Sequence, residues 1–199
     1  FEPFKDGEFE ESELGMIPKG WKVVKIGDIC DVKGGKRLPK GSNLLDCKTD
    51  YPYLRVTDVT NGYIDIEQIK YIDYDTRSKI SKYIIRYEDV YISIAGTIGV
   101  VGTIYKDIDN ASLTENMARI IVSNSNVFRN YIRIYLQSRE GQNNIKSRTV
   151  GSTQPKLPLY AIRAIPIIIP PNKIINDFAK FVNPMIEKIE SNLNEISYF

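Results

Sequence analysis

The sequence has 199 residues, 42% of them hydrophobic and 26% charged, which is enough to bury one sizeable core. No window approaches eighteen consecutive apolar residues and the first twenty are acidic, so neither a membrane span nor a secretory leader is read, and a soluble cytoplasmic protein is the expectation. The formal net charge of +2 hides an asymmetry, because residues 1–15 carry six acids against Lys5, leaving 26 bases and 19 acids, a basic body, in residues 16–199.

Residues 1–20 mix Phe, Glu, Pro and Gly without a helical or strand period and end in Ile17-Pro18-Lys19-Gly20, which reads as an extended arm closing in a turn. Trp21 opens a globular body read as residues 21–171. Up to Val122 the pattern is of short β-rich runs broken by turns: Trp21 to Ile26, Tyr53 to Val59, Val90 to Ile94, Gly99 to Tyr105 and Met117 to Val122. Asn61-Gly62 is a tight-turn signal. Thr76 to Ile85 is compatible with a short helix. Asn126 to Lys146 predicts a longer one, with Val127, Tyr131, Ile134, Tyr135 and Ile145 at helical spacing and Arg129, Arg133 and Arg139 on other faces. A polar loop, Ser147 to Lys156, follows. The run from Ile165 to Pro171 is too short for a helix and too apolar to be exposed, and reads as a buried strand.

Residues 172–199 change character. Ile175, Phe178, Val182, Met185, Ile189 and Ile196 follow the three-and-four spacing of a coiled-coil seam, with Asn192 in its polar slot and Leu193 beside it. Such a stripe packs either on a partner or on its own domain, and Pro184 inside it predicts a kink or a fresh helix start. The fold class is therefore mixed α/β, a single globular domain with a long C-terminal coiled-coil-like helix.

Chemistry-bearing motifs are sparse. The absence of histidine removes Ser-His-Asp and Cys-His nucleophiles, His-based zinc sites and zinc deaminases together. Cys30 and Cys47 form neither a disulfide framework nor a CxxC pair and read as packing residues. An Asn/Asp-Pro-Pro-aromatic segment, which would grip an amino group for methylation, is missing, since Pro170-Pro171 lies between Ile169 and Asn172. Gly96, Gly99 and Gly102 match no phosphate-binding pattern and read as bends. The strings Asp31-Val32-Lys33 and Asp46-Cys47-Lys48 offer carboxylates beside a lysine, as a metal-dependent nuclease needs, but they read better as surface charge, as Asp107 and Asp109 read as a turn. No catalytic residue, metal ligand or cofactor site is assigned.

Two polar loops remain. Lys33-Gly34-Gly35-Lys36-Arg37-Leu38-Pro39-Lys40-Gly41 sets four cations around three glycines, suiting close approach to phosphates. The second loop carries Arg148, Ser152, Thr153, Gln154 and Lys156. Lys33, Lys36, Lys40 and Lys156 are expected to contact phosphates as flexible point charges, while the planar groups of Arg37, Arg148 and Gln154 suit bidentate bonds to guanine or adenine.

The strings Phe1-Glu2-Pro3-Phe4 and Ser12-Glu13-Leu14-Gly15-Met16-Ile17-Pro18-Lys19-Gly20-Trp21 resemble the joint before a target recognition domain in specificity subunits of type I restriction-modification systems. Ile26-Gly27-Asp28-Ile29, Tyr53-Leu54-Arg55, Gly96-Thr97-Ile98-Gly99 and Gly151-Ser152-Thr153-Gln154-Pro155-Lys156-Leu157 extend the likeness in order across the chain, followed by the Ile-Pro run and a helical spacer. The resemblance implies a mixed α/β, non-catalytic reader of double-stranded DNA. In that family two recognition domains each read half of a split target, and spacer helices dock modification subunits. Methylation belongs to the modification subunit and cleavage to the restriction subunit. Here there is one such domain and one spacer, as expected for the second half of a longer protein, a fragment, or a half-size subunit that pairs with a second copy through the C-terminal helix.

Two readings from other classes stand beside it. One is a DNA nuclease using Asp28 or Asp31 with Lys33 and a metal. The other is a protein-interaction adaptor that uses the helix and acidic arm and ignores DNA.

Overall fold

The computed structural model describes residues 4–60, 62–122 and 126–196. The arm is not simply extended. It folds into a hairpin of β1 (Phe9–Ser12) and β2 (Gly15–Pro18), with Phe9 opposite Pro18 and Ser12 opposite Gly15. Turn chemistry rather than hydrophobic period makes it: Gly15 takes a φ of 88°, and the Ser12 hydroxyl donates to the Gly15 carbonyl at 2.6 Å. Lys19 pairs with Glu8 across the strands at 2.6 Å.

The body follows as β3 (Lys22–Lys25), α1 (Ile26–Ile29) and β4 (Cys30–Gly34), then, after a long loop, β5 (Pro52–Leu54). The run predicted from Tyr53 to Val59 is broken, because Asp58 caps a 3-10 turn over Val56–Asp58 by accepting the Arg55 backbone N–H at 2.8 Å. A small hairpin, β6 (Val59–Thr60) and β7 (Tyr63–Ile64), follows, its turn including Gly62 at φ 80°; Asn61 lies outside the described residues. Next come β8 (Lys70–Tyr71), α2 (Tyr74–Lys79) and β9 (Ile84–Ile85). The helix predicted from Thr76 to Ile85 thus starts earlier, at an Asp73 cap on the Thr76 N–H, and gives way to a strand.

The chain continues through β10 (Val90–Ser93), β11 (Val101–Thr103), β12 (Ala111–Leu113), β13 (Met117–Val122), α3 (Asn126–Gln137), α4 (Arg139–Ser147), α5 (Leu159–Arg163), β14 (Pro166–Ile169) and α6 (Asn172–Ile196). The long helix expected over Asn126 to Lys146 is two. Ser138 caps the second by accepting from the Gly141 N–H at 3.2 Å, and a Cβ on Gly141 would meet the Tyr135 carbonyl at 2.1 Å. Gly102, expected to be a bend, lies within β11, where a Cβ would strike the Tyr91 hydroxyl at 2.2 Å.

One antiparallel sheet has the order β11-β10-β13-β4, and a second, β8-β5-β12-β9, contains the parallel pair β5 and β12. One face of the first sheet is buried, and the other is covered at Tyr91 and Met117 but carries the exposed Asp31 and Lys33 of β4. Val32, Val90, Ile92, Ala118 and Ile120 point to a core closed by α3, α5 and β14, while Tyr91 and Met117 point to the core shared with the second sheet. The apolar run at the end of the body is β14, paired antiparallel with β3.

The six-residue seam of α6 divides. Ile175 is buried, Phe178 and Val182 are partly covered, and the rings of Phe178 and Tyr131 meet as α6 packs on α3. Met185 and Ile189 are exposed and join Phe181, which the heptad reading did not include, in a bare apolar row at four-residue spacing. The Ile196 side chain lies outside those described. Ile175 is therefore a contact within the chain rather than one available to a partner. Pro184 neither breaks nor restarts the helix. Ala179 before it and Ile186 after it are both buried, so packing holds the two halves together despite the missing N–H.

Candidate nucleic-acid interface

β4 and β10 end, and β13 begins, on one rim of the first sheet. Backbone bonds knit the segments leaving that rim. The N–H of Gly35 donates to Met117 at 2.9 Å, that of Lys36 to Leu113 at 2.8 Å, and that of Ile94 to Asn116 at 2.8 Å. The Leu157 N–H donates to Ile94 at 2.9 Å, and Lys156 bridges both Ala95 and Val150. A Cβ on Gly34 would sit 3.6 Å from the Leu159 side chain. The two polar loops, more than a hundred positions apart in sequence, are thereby brought to one rim.

The second loop is a closed turn. Val150 and Lys156 exchange both backbone bonds at 2.8 Å, Gly151 adopts a φ of 89°, and every residue from Val150 to Lys156 is exposed. Ser152, Thr153 and Gln154 thus stand at an open tip. Arg148 does not join them, because its Nη1 donates to the Asn144 side chain at 2.6 Å and to the Asn144 carbonyl at 3.2 Å, finishing α4.

In the first loop, Lys33 lies on β4 and pairs with Asp31 at 3.1 Å. That hydrogen bond, ahead of the opposing effect of desolvation, holds the Asp31 carboxyl below the usual range. Lys36 places its ammonium 5.7 Å from the centre of the Tyr83 ring, and Lys40 is exposed in the turn closed by Ser42 N–H on Pro39. Arg37 donates its Nε–H to Glu115 at 2.7 Å. Burial opposes ionisation of Glu115, but the bonds from Arg37 and Thr114 and the charge of Arg37 outweigh it, so its carboxyl lies below its ordinary range. The cations Lys33, Lys36, Arg37, Lys40 and Lys156 outnumber Asp31 and Glu115 along this rim.

Glu115 and Asn116 were not singled out from sequence. Their only signal is a polar turn between two apolar strands, and the partner of Glu115 lies 78 positions away. The acids considered for a nuclease have other partners: Asp28 accepts the Lys25 N–H at 2.9 Å, and Asp31 faces Lys33 and, at 3.7 Å, Arg163. Among the described residues no three His, Cys, Asp or Glu side chains cluster as metal ligands would, and no helix is long and apolar enough to cross a membrane.

Residues 18–197 match the family model of the type I restriction modification DNA specificity domain. The chain is 28% identical over 204 residues to the type I restriction enzyme MjaIX specificity subunit of Methanocaldococcus jannaschii, covering 98% of this chain and 45% of that one. Its fold is similar to the type I restriction-modification system S subunit from M. genitalium, with a TM-score of 0.58 at 15% identity over 86% of this chain and 40% of that one. A second likeness is to the HsdS subunit from Thermoanaerobacter tengcongensis, with a TM-score of 0.55 at 16% identity over 95% of this chain and 42% of that one. The chain spans less than half the length of the curated relatives it matches.

Proposed function

The chain belongs to the type I restriction modification DNA specificity domain family, and from that premise we propose that it reads one half of a bipartite double-stranded DNA target without chemistry of its own. The observation that carries this reading is the convergence of the two cationic, glycine-bearing loops on one rim of the sheet. Phosphate contacts there set register and carry no sequence information, and the few planar side chains among them supply the discrimination.

The same reading assigns α6 to assembly. Phe181, Met185 and Ile189 form its free apolar face, which suits a modification subunit, with the restriction subunit joining the complex beyond it. Methyl transfer and strand cleavage then belong to those partners.

The test is selection from a randomised duplex pool by the purified chain at several salt concentrations, followed by sequencing. A recurrent half-site supports the reading, with affinity falling steeply as salt rises because bound lysines release counterions. Binding of no duplex at any salt concentration overturns it in favour of a protein adaptor. Cleavage that requires added magnesium overturns it in favour of a nuclease.

A further inference from the structure

We infer that Arg37 reads a guanine in the major groove and that Glu115 is the positioning residue that aims it. The inference rests on the DNA-reading function proposed above and assigns one base contact within it.

Arg37 is singled out by how it is held. Its side chain is 81% exposed, yet one edge of the guanidinium is fixed by the Nε–H bond to Glu115 Oε1 at 2.7 Å. The other carboxylate oxygen, Oε2, accepts from the Thr114 hydroxyl at 3.0 Å, and Thr114 is itself buried, so the carboxylate cannot swing freely. The backbone leading to Arg37 is equally anchored. Gly35 and Lys36 donate to Met117 and Leu113, and the Tyr53 hydroxyl donates to the Lys36 carbonyl at 2.9 Å. A Cβ on Gly35 would meet the Thr114 carbonyl at 2.0 Å, so only glycine seats the loop this closely on the strand end.

With Nε committed, the two terminal nitrogens keep parallel N–H groups pointing outward. That pair matches the O6 and N7 acceptors of guanine. The other candidates named above are not built this way: Arg148 spends a terminal nitrogen on Asn144, the Gln154 amide suits adenine rather than guanine, Lys33 faces Asp31, and lysine has no planar fork.

Two alternatives for the pair fail on magnitude and sign. An ion pair this exposed contributes little to folding, so stability does not account for it. A carboxylate on a rim that meets phosphates weakens general affinity, so electrostatic attraction does not account for Glu115 either. Aiming a guanidinium accounts for both the position and the charge.

The experiment compares motifs selected from a randomised duplex pool by the full wild-type chain and by Arg37→Ala, Arg37→Lys, Glu115→Gln and the double variant Arg37→Ala/Glu115→Gln. Thermal melting of each variant checks that it is folded. The wild type should show a guanine at one position. Arg37→Ala should lose that preference by roughly 5- to 150-fold, the range for one bidentate contact, and leave other positions intact. Arg37→Lys should keep general affinity without restoring the guanine. Glu115→Gln should relax the same position with general affinity unchanged or higher, and the double variant should match Arg37→Ala alone. A wild-type motif that survives Arg37→Ala at every position overturns the inference while leaving DNA reading intact. An effect of Glu115→Gln at a different base pair, or one additive with Arg37→Ala, removes Glu115 from its role. Recovery of no motif by the wild type overturns the reading beneath both.

Discussion

The rings of Phe178 on α6 and Tyr131 on α3 meet at right angles, with centroids 5.7 Å apart and planes at 88°. The Tyr131 hydroxyl in turn donates to the Ile168 carbonyl of β14, so the first half of α6 is bound into the globule through an aromatic pair and a strand. One helix therefore has a structural half and a free face.

Those two parts should respond differently to the same substitution. Ile175→Asp, at a position 1% exposed, places an unpaired carboxylate in the core and should cost on the order of 3–5 kcal/mol of stability. Phe181→Asp, Met185→Asp and Ile189→Asp together should leave the melting temperature nearly unchanged and, on the assembly role proposed for α6, abolish co-purification with a modification subunit. Melting curves and pull-down of the same variants check both halves of the expectation.

Glu190 provides a titration test of how α6 is seated. Its carboxylate lies 3.6 Å from Arg133 and 3.5 Å from the Thr103 hydroxyl, and desolvation raises its pKa despite the charge of Arg133. A raised carboxyl pKa favours folding most where the group is protonated. Its contribution is fully present below the unfolded value and is lost as pH rises through the folded value. The melting temperature of the wild type, measured relative to Glu190→Gln, should accordingly improve as pH is lowered from neutral toward 4. The pair comparison cancels the other titrating groups, Asp89 among them, which burial also raises.

Gly35→Ala should destabilise the fold by about 1–3 kcal/mol, because the added methyl meets two backbone carbonyls, of Thr114 and Leu113, that cannot rotate away. Gly41→Ala has open space and differs only in its φ of 85°. Chemical denaturation of both variants separates crowding from conformational strain.

The two cysteines should differ in reactivity. Cys30 is buried and desolvation pushes its thiol up to about 12, whereas Cys47 is exposed. A thiol reagent at pH 8 should modify one cysteine in the native protein and both in denaturant, with mass mapping placing the native adduct on Cys47.

The sheet strands most legible in the sequence were those with enough apolar residues to stand out, such as the runs that became β10, β13 and β14. β4 is hard to read from sequence although Cys30 and Val32 alternate with Asp31 and Lys33, because its outward charges resemble those of a surface loop. The two-residue strands of the second sheet are shorter than any period can reveal. Helix ends depended on side-chain caps, at Asp73 and Ser138, that override continuous helical spacing. At the candidate site, the glycines and lysines of the two loops were visible locally. Glu115 was not, since its meaning depends on a partner brought close only by the pairing of β13 with β4.

β3 and β14, the first and last strands of the body, lie side by side, Lys22 opposite Ile169 and Lys25 opposite Pro166. The polypeptide consequently enters and leaves the body at one place. The flanking hairpin and α6 are joined there by a fixed two-strand clasp, and everything between residues 26 and 165 hangs from it. A different insert closed by the same clasp would present new loops on the rim of the first sheet without moving the flanking segments.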